Sequence, residues 1–202
     1  MKALSSIVIL LTAALLLQCG QDTPVEQTEV VTDVQEQILD TAYYLATGQE
    51  VAQATFAALS GKLQQAIADG GVENALKFCS ANALPLTDSL AQQYNVIIKR
   101  TSHKVRNLKN APNAEEASII DRYLTGENKP VIRMNDTGEA IFYAPIMTKG
   151  LCLICHGEVG KTISPADSET IASLYLEDQA INFSEGDLRG MWSITFKNND
   201  HE

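Results

Sequence analysis

The sequence predicts an α+β fold with a mostly antiparallel sheet, and three observations carry that prediction. Apolar residues recur at helical spacing through the first half, from Val34 to Leu84. Short β-branched or alternating runs follow at Val96-Ile97-Ile98 and at residues 190–196. Between them, Val131-Ile132-Arg133-Met134 and Ala140-Ile141-Phe142-Tyr143-Ala144 flank Asn135-Asp136-Thr137-Gly138, which is a hairpin signal.

Taken in order, Val34, Ile38, Ala42 and Leu45 mark one helical stripe, and Phe56, Leu59, Leu63 and Ile67 mark another. A break is expected near Gly48, and Gly70-Gly71 is expected to end the region. The next helix carries Val72, Ala75, Leu76, Cys79 and Ala83 on its apolar face, and Pro85 marks its end or the start of another turn. Val96-Ile97-Ile98 is expected to be a strand. Asn113 suits the cap of a helix through Tyr123, with Glu116 completing a capping box. After the hairpin, Ser164-Pro165 opens a helix expected to reach Leu176, and residues 190–196 form the final strand. There are no internal repeats.

The N-terminus reads as an export signal. Lys2 gives a basic start, and the uncharged run from Ile7 to Leu17 has eleven residues, whereas a spanning helix needs about 20. It therefore suits a signal-peptide core, and no later stretch is long and apolar enough to span. Leu16-Leu17-Gln18-Cys19-Gly20 resembles a bacterial lipobox, although Gln18 departs from the usual small residue. Acylated Cys19 is thus the expected mature N-terminus, and more than one acyl chain would anchor it stably. Mass spectrometry of the mature protein should find that modification. The expected organisation is a lipoprotein signal peptide over 1–18, a flexible acidic tether over 19–33 and one domain over 34–202. Hydrophobic content of 45% supports a packed core, and a net charge of −10 argues against nucleic acid and anionic membrane surfaces as partners.

Cys152-Leu153-Ile154-Cys155-His156 carries the chemistry. Cys-x-x-Cys-His is the attachment signature of a c-type haem. One helical turn presents two thiols, which become thioethers on the vinyl groups, and an imidazole, which becomes the proximal iron ligand. Such attachment occurs outside the bacterial cytoplasm, in agreement with the export signal. A thioredoxin-like Cys-x-x-Cys would follow a βαβ pattern, which is absent. A zinc site would need a fourth ligand and usually wider spacing.

Of the four cysteines, Cys19 belongs to the export signal, Cys152 and Cys155 to the haem motif, and Cys79 is left over. Its helical spacing points it inward. That position suits an ordinary buried thiol and a second axial ligand equally. Residues 99–113 hold the one basic cluster in this acidic chain, either as a solvated loop or as the source of Arg100 or Arg106 for the haem propionates.

Several segments together resemble the PAS-like c-type haem domain, long catalogued as a domain of unknown function, which occurs alone and fused to sensor kinases and chemoreceptors. They are Phe78-Cys79-Ser80, Arg100-Thr101-Ser102, Val105-Arg106-Asn107, Asn110-Ala111-Pro112, Ala144-Pro145-Ile146, Cys152 to Gly157, and Gly186-Asp187-Leu188-Arg189-Gly190. The resemblance implies a PAS-like antiparallel sheet with flanking helices, a long N-terminal helical region and one covalent haem c. It also implies His156 and Cys79 as the iron ligands. Leu108 stands where the family often has Pro. His103 stands where it usually has an apolar residue, and is expected at the surface or pocket edge. It is the main competitor for the ligand role, with Met134, Met147 and Met191 behind it.

A thiolate favours ferric iron, so a low reduction potential is expected. Two protein ligands leave no open site, and no distal acid–base constellation is legible, so an enzyme is not expected. The expectation is an exported redox or diatomic-gas sensor that binds CO, NO or O2 once Cys79 is released. With no kinase or receptor segment following the last strand, it would signal through a separate partner. The alternative is a periplasmic electron-transfer lipoprotein that docks a redox partner.

Overall fold

The structure, a computed structural model, describes residues 26–198, with side chains from residue 40 onward. The signal peptide and Cys19 lie outside the described residues. Two compact units divide at Gln37 and Ile38, and the sheet, the core clusters and the cavity all belong to the second.

Helix α1 covers Glu26–Gln93. It includes Glu26 to Asp33, the later part of the stretch expected to be a tether. No Pro or Gly interrupts the sequence between Pro24 and Gly48, so nothing there stops a helix. Gly70 and Gly71 leave helical geometry at φ −167° and +72° and kink the helix, as the sequence predicts. Of the two outcomes open at Pro85, an end or a further turn of helix, the structure shows the second: the helix runs through it. Two residues on, the Thr87 hydroxyl donates to the Ala83 carbonyl at 2.8 Å, so this side chain supplies a bond to the backbone beside the proline.

Gly48 departs from the expected break. It does not break the helix but lets it approach the sheet, because a Cβ there would fall on the Phe142 ring. Gly48→Leu should therefore destabilise the domain by about 1–3 kcal/mol through overpacking. Gly61→Ala, with nothing within 4 Å of an added Cβ, should stabilise it by about 0.5–1 kcal/mol. Urea midpoints of the two variants test this, and a stabilised Gly48→Leu would refute the close approach.

Strands β1 (Val96–Thr101), β2 (Val131–Met134), β3 (Ala140–Met147) and β4 (Leu188–Phe196) form one antiparallel sheet in the order β1-β4-β3-β2. Helices α2 (Ala114–Leu124), α3 (Gly150–His156) and α4 (Pro165–Leu174) complete the fold. This mixed α+β arrangement agrees with the PAS-like class the sequence predicts. The Asn113–Glu116 capping box forms, and Ser164 caps α4, which stops at Leu174 rather than Leu176. The β2–β3 turn closes through Asn135 and Gly138, with Gly138 at φ +77°.

The alternation of the strands gives the sheet two apolar faces. On one, Ile98, Phe142, Ala144, Trp192 and Ile194 pack against Val51 and Ala52 of α1. On the other, Ile141, Tyr143 and Met191 pack against Ile119, Ile120 and Tyr123 of α2. A third cluster joins Leu76 of α1 to Ile163 and Ile171, with Cys155 packed against it. That cluster brings the post-kink arm of α1 up to the Cys-x-x-Cys-His helix.

Candidate functional site

A cavity of about 840 Å³ opens between α1, α3 and the β1–β4 end of the sheet. Its size lies in the range of about 300–1,000 Å³ common for cofactor sites. Leu59, Leu63, Ala75, Ile146 and Trp192 supply apolar wall. Cys152, Cys155 and His156 line it from α3, and Cys79 lines it from α1.

His156 is held by a backbone carbonyl. Its Nδ1 lies 2.8 Å from the oxygen of Ala180. A carbonyl only accepts, so Nδ1 carries the hydrogen, and in the neutral ring Nε2 then keeps a lone pair. Burial, with Arg189 and Arg106 adding to it, holds the imidazole well below its usual pKa, so it stays neutral as a metal ligand must be. The Ala180 segment is itself fixed, since the Phe183 amide donates to the His156 carbonyl at 3.0 Å and the Asn182 amide to that of Gly157 at 2.8 Å. Phe183 meets the His156 ring edge-on, with centroids 6.4 Å apart.

Arg106 ties this segment to the motif. Its Nε and Nη2 donate to the two oxygens of Asp178 at 3.1 and 3.0 Å. Nη2 also donates to the carbonyls of Cys155 at 2.7 Å and Ala180 at 3.2 Å. The two side chains are only 10% and 8% exposed. Bidentate pairing of this kind fixes orientation as well as charge.

Both interior thiols resist ionisation. Burial pushes Cys155 up to about 11. Burial also raises Cys79, against the pull of Arg100 and Arg106. Among the described residues no three His, Cys, Asp or Glu side chains converge on one point as a bare metal-ion site. A tetrahedral zinc donor set is therefore not assembled. A haem would require two thiols and at least one imidazole or sulfur donor at one cavity, and Cys152, Cys155, His156 and Cys79 are all at this one.

A family model described as Tll0287-like matches residues 22–197. The chain belongs to the Tll0287-like family. Among solved structures it is similar to the crystal structure of the cyanobacterial heme-protein Tll0287, at 21% identity and a TM-score of 0.54, with 89% of this chain and 99% of that chain covered. That likeness is one of fold. No curated protein matches the chain.

The Tll0287-like domain sorts the residues singled out by sequence. Cys79, Arg100, Arg106, Cys152, Cys155 and His156 all border one cavity. His103 is exposed and outside its lining, with its ring 5.8 Å from Phe183. Met191 is fully buried on the opposite sheet face, and Met134 is 58% exposed on β2. Of the three methionines, Met147 alone lines the cavity. Lys99, from the basic cluster, bonds Glu116 at 2.6 Å and so supports the α2 cap. Sequence reasoning gave no role to Asp178, Ala180, Phe183 or Arg189. Their only local signal is Arg189 within the family segment Gly186 to Gly190; the other three act through contacts distant in sequence.

Proposed function

We propose that this Tll0287-like protein binds one haem c, joined to Cys152 and Cys155, with His156 and Cys79 as axial ligands, and that it serves as an exported redox or diatomic-gas sensor. The observation that carries the reading is the convergence of a neutral, carbonyl-oriented imidazole, two motif thiols and a third thiol from α1 on one cavity. The family's likeness to a protein described as a heme-protein supports it.

Bound haem supplies one-electron chemistry and, once a ligand leaves, a site for CO, NO or O2. The chain supplies the rest. Ala180 accepts the Nδ1 hydrogen and raises the donor strength of Nε2. Cys79 gives up its proton on ligation, because a coordinated thiol is deprotonated. Arg100 and Arg106 favour that thiolate electrostatically. A thiolate ligand stabilises the ferric state, hence a low potential. Cys79 stands on the α1 arm beyond the Gly70–Gly71 kink, so if one-electron reduction of a bound haem by a redox partner weakened the iron–sulfur bond and the sulfur took up a proton, that arm would be free to move and to be read by a signalling partner. The reading is non-enzymatic, since His156 and Cys79 would together leave a bound haem no open coordination site. It places the domain outside the cytoplasm, tethered to the membrane only through acylated Cys19.

One observation favours an electron-transfer role as the second reading. Met147 and Leu151 line the cavity while 41% and 44% exposed, which sets apolar surface at its edge for a redox partner.

Absorption spectra of ferric and ferrous protein, with and without CO, test these readings. In Cys79→Ala the ferric spectrum should lose its thiolate character and CO should bind more readily on reduction. Spectra identical to wild type would remove Cys79 as a ligand. A ferrous wild-type protein that binds no CO would favour electron transfer.

A further inference from the structure

We propose that Arg100 and Arg189 hold the two propionates of the haem and that Arg106 does not. The inference rests on the haem reading above. Three guanidiniums border the cavity, and among the described residues only Arg106 has a carboxylate partner, Asp178. Its fork is further engaged by the carbonyls of Cys155 and Ala180.

Arg189 is different. Its side chain makes one hydrogen bond to protein among the described residues, a long one, 3.4 Å from Nη1 to the Lys104 carbonyl. Its guanidinium carbon lies 5.1 Å from the centre of the Phe183 ring. Arg100 has no ion pair and no side-chain hydrogen bond among the described residues. Both are half-buried. Burial lowers the pKa of Arg189 to about 10, with Arg106 and Arg100 repelling it. Arg100 is likewise lowered by burial. Two partly desolvated guanidiniums that face one cavity, neither with a carboxylate partner among the described residues, are a ready match for an anion there.

Their placement suits two neighbouring carboxylates. Arg100 sits opposite Trp192 in the β1–β4 register, and Arg189 is three residues back along β4. That separates their backbones by roughly 10 Å, a gap that two long side chains close readily. The charges also balance. Ferric iron is neutralised by the porphyrin dianion and a Cys79 thiolate, which leaves two propionates for two guanidiniums. Lys149 also lines the cavity but is exposed, and a hydrated ammonium lacks the fork that matches a carboxylate.

The test uses full-length, haem-loaded protein. Resonance Raman reads the propionate bending band, and redox titration reads the midpoint. Arg100→Lys and Arg189→Lys, which keep charge but lose the fork, should each shift the propionate band, whereas Arg106→Lys should leave it in place. Arg100→Gln and Arg189→Gln should each lower the ferrous-to-ferric ratio at fixed potential by up to about tenfold, equivalent to about 59 mV for one electron. A band unmoved in Arg100→Lys and Arg189→Lys, or moved as far by Arg106→Lys, overturns the assignment and leaves the haem reading standing. Wild-type protein that carries no haem overturns both.

Discussion

Replacing Cys152 and Cys155 together by alanine is expected to remove every trace of haem that survives denaturation. In wild type, the pigment should stay with the polypeptide through acid extraction and on a denaturing gel, because two thioethers would hold it. In the double variant all of it should extract, and each single variant should retain haem through one remaining bond. The structural basis is the short helix α3, Gly150–His156, which presents both sulfurs to the cavity. Neither sulfur is engaged in a disulfide. His156 and its Ala180 contact remain in the double variant, so non-covalent haem should still give an axial-imidazole spectrum. Wild-type haem that extracts fully would exclude covalent attachment while leaving ligation by His156 open.

Arg106→Ala should be the most destabilising single change at the site, at about 3–5 kcal/mol in urea denaturation. It leaves Asp178 buried with the Ala180 amide at 2.9 Å as its remaining donor. It also deprives the Cys155 carbonyl of a 2.7 Å bond. The cost comes mostly from the stranded carboxylate, so an Arg106→Leu/Asp178→Leu pair should cost far less than Arg106→Ala. Arg106→Lys should fall between, since an ammonium cannot span both carboxylate oxygens and the carbonyls at once. Because Asp178 and Arg106 both bond Ala180, the Arg106→Ala protein should also show a broadened distribution of His156 orientations in its ferric electron paramagnetic resonance. An effect below about 0.5 kcal/mol would place Arg106 among ordinary surface residues and refute the clasp.

Gly48 and Pro85 in α1 show where local reading stops. Both are breakers by propensity, yet the helix passes through them. At Gly48 the missing side chain is what allows helix and Phe142 to meet, a gain invisible until the sheet is placed. At Gly70-Gly71 the local preference prevails and the predicted break occurs, with the Asn74 side chain donating to the Ala66 carbonyl across it. The capping box at Asn113 and the hairpin at Asn135 to Gly138 were legible because all their partners lie within four residues.

The sequence by itself determined the haem-motif triad, the caps, the hairpin and the α+β plan, because each depends on neighbours fixed by covalent spacing. The leftover Cys79 could be placed on an inward helix face but not assigned, since inward leads to a core or to a cavity alike. Only the tertiary structure decided which it faces, through the third apolar cluster that draws Leu76 of α1 toward Cys155. Likewise, sequence could name Arg100 and Arg106 as candidate anion partners but not rank them. Arg106 is claimed by Asp178, 72 residues away, and Arg189 arrives from the last strand without a carboxylate of its own. Which charges are paired and which are left facing a cavity depends on chain segments that meet only on folding, and no local pattern encodes it.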